Sequence, residues 1–233
     1  MTFHVLTIFP EMIRAATNYS ILKRAENAGL VKINPINIRD FAANKHGQVD
    51  DAPYGGGAGM VMMAKPVYDA YCFAKPAESS PVIYLSPSGR VFNQFIAKKM
   101  SAHKEITLIC GHYEGIDQRV IDEIVTDEIS IGDYVLTGGE VAALVFIDAV
   151  SRLVPGVVGK ENSLMSESFS EELDGMLEYP QYTRPQVFMN RKVPDVLLSG
   201  HHEEINKWRK DMAFAKTSSK RPDLLITTFP AHQ

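Results

Sequence analysis

Two short apolar runs, ITLIC at 106–110 and DEISI at 127–131, each end abruptly in glycine, and this restricts the fold more than any other feature. ITLIC runs into Gly111 and Gly115; DEISI runs into Gly132, with Gly138 and Gly139 close behind. A β-branched apolar run bounded by turn residues reads as a buried strand. Glycine at its end permits positive φ and lets another group approach the backbone closely. Upstream, PVIYLSPSGR at 81–90 ends the same way, in Ser86-Pro87-Ser88-Gly89. Three strand ends of one type imply an open α/β sheet, in which ligands sit beyond the carboxyl ends of the strands. Ordinary strand-to-helix turns use the same residues. The glycines alone therefore leave a ligand crevice and plain turns as alternatives.

The flanking segments fit a parallel sheet with helices on both faces. FHVLTIF at 3–9 reads as a strand, and Pro10 starts a helix that continues through MIRAATNYSILKRAENA to Gly29, a C-cap. LVKINPINI follows as a second strand, and Pro35 within it predicts an edge or bent strand and not a central one. The stretch 39–62 is a long aperiodic loop, of a length that is usually functional or disordered in a compact domain. Its GGGAG is neither a P-loop nor a dinucleotide fingerprint. Asp50 and Asp51 could bind a metal, contact a base or be solvated loop acids. VFNQFIAKKMSAH predicts an amphipathic helix with Phe92, Phe95, Ile96 and Met100 inward, and GIDQRVIDEIV one with Asp117 in its first turn. EVAALVFIDAVSRLV is apolar nearly all round, which predicts a deeply buried helix or a subunit interface. Arg152 near its end either complements the helix dipole or has a function of its own.

A hydrophobic fraction of 45% and a charged fraction of 22% are ordinary for a soluble globular protein. The longest apolar stretch, VAALVFIDAV, is too short to span a bilayer and contains Asp148, and the N-terminus lacks a basic signal-like region, so a cytoplasmic protein is expected. Cys72 and Cys110 have no metal-type spacing and are expected to be buried thiols. The net charge of −4 is unevenly placed. Residues 1–182 hold 15 basic against 23 acidic side chains, whereas 183–222 hold nine against four. Such an excess suits a polyanion partner, although solvated helix faces also collect basic residues. Between these parts, 155–185 turns rich in Gly, Ser, Glu and Pro and reads as a linker. From Val193 the chain looks helical: VPDVLLSG, then HHEEINKWRKDMAFAKTSS with Ile205, Trp208, Met212 and Ala215 near helical spacing, then PDLLI. The adjacent His201 and His202 point to different faces and do not make a metal pair.

DDAPYGGGAGM, YLSPSG, CGHYEGID, SIGDYVLTGGE, SRLVPGVVG, LEYPQYTRP, VPDVLLSGHHEEINKWR and RPDLL, taken together and in order, resemble bacterial tRNA (guanine-N1-)-methyltransferase over nearly the whole chain. That family belongs to the SPOUT class. The resemblance implies a parallel α/β sheet with a trefoil knot near the end of the catalytic domain, plus a small helical C-terminal domain. It implies a catalytic domain at 1–154, a flexible linker at 155–175 and a tRNA-binding domain at 176–233. The three strand-end turns, 84–89, 111–114 and 130–139, become the walls of a site for S-adenosylmethionine. The cofactor positions carried over are Leu85, Ser86, Pro87, Gly89, Gly111, Tyr113, Glu114, Ile131, Gly132, Tyr134, Leu136, Gly138 and Gly139.

The activity implied is methyl transfer to N1 of guanine 37 in tRNA, by a homodimer that shares its active site between subunits. Such chemistry requires a base for the N1 proton and a cation beside guanine O6. The resemblance assigns these roles to Glu167, contributed by the opposite subunit, and to Arg152. It implies substrate contacts at Asp50, Asp51, Pro53, Tyr54, Gly55, Arg184, Lys207 and Arg209, and no protein-held metal, while a divalent metal in the reaction is left open. The chain departs from the family pattern at three places: Glu167 stands where the family has aspartate, His112 where arginine is frequent, and Ala52 where arginine is often found. Two other functions share the pocket: a SPOUT methyltransferase with a different target nucleotide, and a non-catalytic RNA-binding protein.

Overall fold

A computed structural model describes residues 1–159 and 166–226, arranged as two compact units, Met1–Gly159 and Lys160–Gln233. In chain order the strands are β1 Thr2–Thr7, β2 Lys32–Asn37, β3 Asp50–Asp51, β4 Val61–Met62, β5 Val82–Val91, β6 Glu105–Cys110 and β7 Asp127–Ser130. The helices of the first unit are α1 Pro10–Thr17, α2 Ser20–Asn27, α3 Ala64–Ala74, α4 Gln94–Ser101, α5 Gln118–Ile124 and α6 Glu140–Ser151.

Five strands form one sheet in the order β2-β1-β6-β5-β7, with every pairing parallel. Both faces are covered, which explains why the strands are apolar throughout instead of alternating. Ile83, Leu85, Ile106, Leu108 and Cys110 point to one side and pack with residues of α1, α2, α4 and α6. Val82, Tyr84, Ile109, Leu6 and Ile36 point to the other side and pack with residues of α3 and α5. Pro35 lies in β2, an edge strand bonded only to β1, where a missing N–H breaks no second ladder.

Strand β5 is irregular at its far end. Both Leu85 and Arg90 face Ile129 of β7, so residues 86–89 leave the ladder and return to it. Gly89 makes the return possible, because an added Cβ would overlap the Glu128–Ile129 backbone.

Several elements differ from the sequence reading. The single helix predicted after Pro10 is two, α1 and α2, separated at Asn18–Tyr19, with Ser20 at φ 53°. Thr17 turns its hydroxyl onto the Ile13 carbonyl at 2.9 Å, and Asn and Ser compete for backbone hydrogen bonds in the same way, so the helix ends there. In α4 the buried residues are Ile96, Ala97 and Met100, while Phe95 is 68% exposed, because Asn93 caps the helix and fixes its rotation. Helix α6 buries Ala142, Ala143, Phe146, Ile147 and Val150, but Val141 and Val145 form an exposed apolar edge. Cys72 is exposed on α3; only Cys110 is buried. Asp117 lies just ahead of α5 and caps it, accepting from the Arg119 amide at 3.0 Å.

In the second unit the main helix runs His202–Lys220, and Ala213 packs with Leu173 and Tyr179, with Trp208, Met212 and Met176 around them. Ala215, predicted inward, is exposed, and the buried stripe passes through Ala213 and Thr217 instead. Part of the expected linker 155–175 is ordered: Glu171–Leu173 is a short 3-10 turn whose Leu173 is buried. Residues 160–165 of that linker, and 227–233 of the expected tRNA-binding domain, lie outside the described residues. No helix among the described residues is long and apolar enough to cross a membrane.

Candidate active site

Beyond the carboxyl ends of β5, β6 and β7 the first unit encloses an open cleft of about 230 Å3. Its walls come from the three glycine-bearing turns, and twelve of the thirteen predicted cofactor residues line it. Leu85, Ser86 and Pro87 form one wall, Gly111, Tyr113 and Glu114 a second, and Ile131, Gly132, Tyr134, Leu136, Gly138 and Gly139 the third. Gly89 is the exception, since it packs on the backbone of β7.

The local geometry shows why glycine recurs. At Gly139 a Cβ would stand 2.7 Å from Cys110 Cα, and its amide donates to the Gly111 carbonyl at 2.9 Å, so two walls touch backbone to backbone. At Gly111 a Cβ would press on the Tyr84 ring at 2.9 Å. Burial, with help from Glu128, pushes the Tyr84 phenol above its ordinary pKa and keeps it neutral. Tyr113 adopts φ 60° without being glycine, a strained backbone of the kind that collects at functional sites. Ser130 Oγ accepts the Gly132 amide at 3.2 Å and so fixes the third turn where Gly132 takes φ 148°.

The loop holding the predicted guanine contacts is docked onto the second wall. Strands β3 and β4 close it as a short antiparallel ladder, pairing Asp50 with Met62. The Glu114 amide donates to Met60 O at 3.0 Å and the Met62 amide to Gly115 O at 2.9 Å. Gly59 leaves room for the Glu114 side chain, which would overlap any Cβ there. Asp50 and Asp51 are thus paired with the strand that docks on this wall, while Tyr54, beyond them in the same loop, is fully exposed. The Asp51 carboxylate accepts the Ala52 amide at 2.8 Å.

Of the remaining predicted residues only Arg152 belongs to the first unit, and it does not line the cleft. Arg152 is the C-cap of α6, ten residues and so about 15 Å along the helix from Ala142 at the cleft, by the rise of 1.5 Å per residue. The chain after it packs toward the opposite edge of the sheet, where a Cβ at Gly156 would meet Leu30 at 3.4 Å. Glu167, Arg184, Lys207 and Arg209 belong to the second unit. There the Arg209 guanidinium stacks over the Tyr179 ring at 5.0 Å, with its Nε buried and unbonded, and Lys207 is exposed. No three His, Cys, Asp or Glu side chains among the described residues gather as a metal set.

Sequence reasoning put His112 within the 111–114 wall, as a departure from the family pattern, but gave no role to it or to Glu140. His112 lines the cleft, and its Nε2 lies 2.9 Å from a Glu140 carboxylate oxygen. The only signal for Glu140 was its position after Gly139, which reads equally as a carboxylate at a helix start.

The profile of the family described as tRNA (Guanine-1)-methyltransferase TrmD matches residues 1–227. The chain belongs to that family. Among curated members, the tRNA (guanine-N(1)-)-methyltransferase of Caldicellulosiruptor saccharolyticus is 61% identical over 225 residues, covering 97% of this chain and 90% of the relative. The enzyme of the same name from Clostridioides difficile is 53% identical over 227 residues, covering 96% and 97%. That of Ruminiclostridium cellulolyticum is 54% identical over 226 residues, covering 96% of each. Family membership extends over both units, so the cleft and the basic C-terminal segment belong to one protein type.

Proposed function

We propose that the protein transfers a methyl group from S-adenosylmethionine to N1 of guanine 37 in tRNA, with the methyl donor held in the cleft at the ends of β5, β6 and β7. The observation that carries this reading is the meeting of three glycine-bearing turns around one cleft in a chain of this family. Backbone close enough to exclude any Cβ suits a ligand gripped by amides and carbonyls. When bound, S-adenosylmethionine supplies an electrophilic methyl group. The chain must align it with guanine N1 and remove that proton.

In this reading the turns at 84–89, 111–114 and 130–139 are the walls of a trefoil knot, supported by the detour of β5 around Gly89 and by the contact of Gly139 with Cys110–Gly111. The 50–55 loop, docked beside Glu114, reads the guanine. Glu167 takes the N1 proton and Arg152 stabilises charge at O6. Arg152 stands at the far end of α6 from its own cleft, which supports a homodimer in which one chain's Arg152 and Glu167 serve its partner's cleft. The second unit, with Arg184, Lys207 and Arg209, holds the RNA backbone, as phosphate contacts supply affinity while a pocket reads the base. Work on tRNA fits a cytoplasmic protein.

The test is incubation of purified protein with labelled S-adenosylmethionine and tRNA, followed by mapping of the modified nucleotide. Label on N1 of guanine 37 is expected. Label on another nucleotide would transfer the reading to a different target, and cofactor binding without any labelling would leave a non-catalytic RNA-binding protein.

A further inference from the structure

Beside the cleft lies a buried polar trio that the transfer reaction does not itself require. Glu140 opens α6 and is 2% exposed. One of its carboxylate oxygens accepts the hydroxyl of Thr7, itself buried at the end of β1, at 2.6 Å. The other lies 2.9 Å from His112 Nε2. A carboxylate accepts and does not donate, so that nitrogen carries the proton. Thr7 Oγ1 in turn accepts the Phe9 amide at 2.9 Å. The trio joins the end of β1, the turn after β6 and the start of α6, which are far apart in sequence.

Two of those segments are walls of the cleft. His112 and Gly138 form an antiparallel bridge between them. A side chain at Gly138 would overlap the His112 imidazole and crowd the Glu140 carboxylate, so this wall lies directly against the dyad. A buried carboxylate is costly to desolvate, and replacing such a group by apolar residues often leaves a fold equally stable. Stability alone therefore does not account for it. Fixing the separation of two walls does, since a binding site must be held to within about half an ångström of its working geometry.

We propose that Glu140 and His112, anchored by Thr7, are positioning residues that set the spacing between the walls at 111–114 and 137–139 and thereby the affinity for the methyl donor. This rests on the reading of the cleft as the methyl-donor site.

Calorimetric titration of the full chain with S-adenosylmethionine tests it, using Glu140→Gln, His112→Leu, His112→Arg and the Glu140→Gln/His112→Leu double variant. Glu140→Gln and His112→Leu should each weaken binding about tenfold or more, the loss of one charge-assisted hydrogen bond. His112→Arg, whose guanidinium donates to the same carboxylate, should stay within about threefold of the unaltered chain. The double variant should bind no more weakly than the worse single one, because both changes break one contact. Affinities that all stay within about threefold, a His112→Arg loss equal to that of His112→Leu, or losses that add in the double variant would each overturn the proposal. If Glu140→Gln does not fold, the two His112 variants decide alone. No binding by the unaltered chain would instead overturn the reading of the cleft, and the proposal with it.

Discussion

At Gly89 a methyl group has nowhere to go, because the atoms it would meet are the backbone of β7 and not a side chain that could swing aside. Gly89→Ala should therefore cost about 1–3 kcal/mol, the range for overpacking a filled interior, read as a lower urea midpoint. A larger group of the same chemistry at an open glycine is a control: Gly55 has nothing within 4 Å of its absent Cβ, so only the strain of φ 86° opposes a change there. Glu167→Gln should lower turnover roughly 100-fold or more, the size of a general-base contribution, with S-adenosylmethionine affinity unchanged. Near-normal turnover would remove Glu167 from that role. Residues of the cleft differ in how visible they were from sequence. Gly111, Gly132, Gly138 and Gly139 stood out as strand-end glycines, but plain turns use the same residues, and only the family resemblance singled out the ligand crevice. His112 and Glu140 did not stand out, because their meaning lies in a contact across 28 residues that no local pattern encodes.

Strands were more legible than helix rotations. The apolar runs of β1, β5, β6 and β7 could be read because burial on both faces removes the polar alternation. The facing of α4 could not, because Phe95 satisfies the same periodicity as its neighbours and the Asn93 cap decides which residues turn inward. Two consequences follow at this scale. The first concerns β6, whose Glu105 carboxylate is held below its ordinary pKa mainly by the Ala77 amide, with Ser80 and His4 adding to it. The folded chain thus binds that proton less readily than the unfolded one, so its stabilisation is present above the ordinary glutamate range and fades as pH falls through and below it. Glu105→Gln should flatten the acid limb of a stability-versus-pH curve, and an unchanged limb would show that Glu105 does not contribute to it. The second concerns the two cysteines. Burial pushes the Cys110 thiol far above 9.0, whereas Cys72 is exposed. A thiol reagent should therefore label one cysteine in the native protein and two in denaturant, as counted by mass spectrometry.

For the whole molecule, the proposed assembly makes a complementation test possible. An Arg152→Ala chain keeps an intact cleft, and a chain with a blocked cleft, such as Gly139→Val, keeps an intact Arg152. Each alone should be inactive. Co-expressed, half of the dimers should be mixed, each with one complete site, restoring about a quarter of full activity. No recovery would mean that Arg152 does not act in a partner's cleft. The layered sheet was legible at this scale, but the separation of Arg152 from its own cleft was not, because sequence gives a helix's length without saying which sheet edge its end reaches. The strand order carries a further consequence, one for synthesis. The interior strand β1 pairs on one side with β2, but its other edge is completed only by β6, where Leu6 faces Ile109. At about 5–20 residues per second, a ribosome needs roughly 5–20 s to make the intervening hundred or so residues. During that interval an apolar strand has one bare edge, open to any other strand nearby. Shielding of that edge until β6 arrives should therefore favour correct folding, and the parallel β1–α1–α2–β2 opening is the segment to watch for aggregation when translation is slowed.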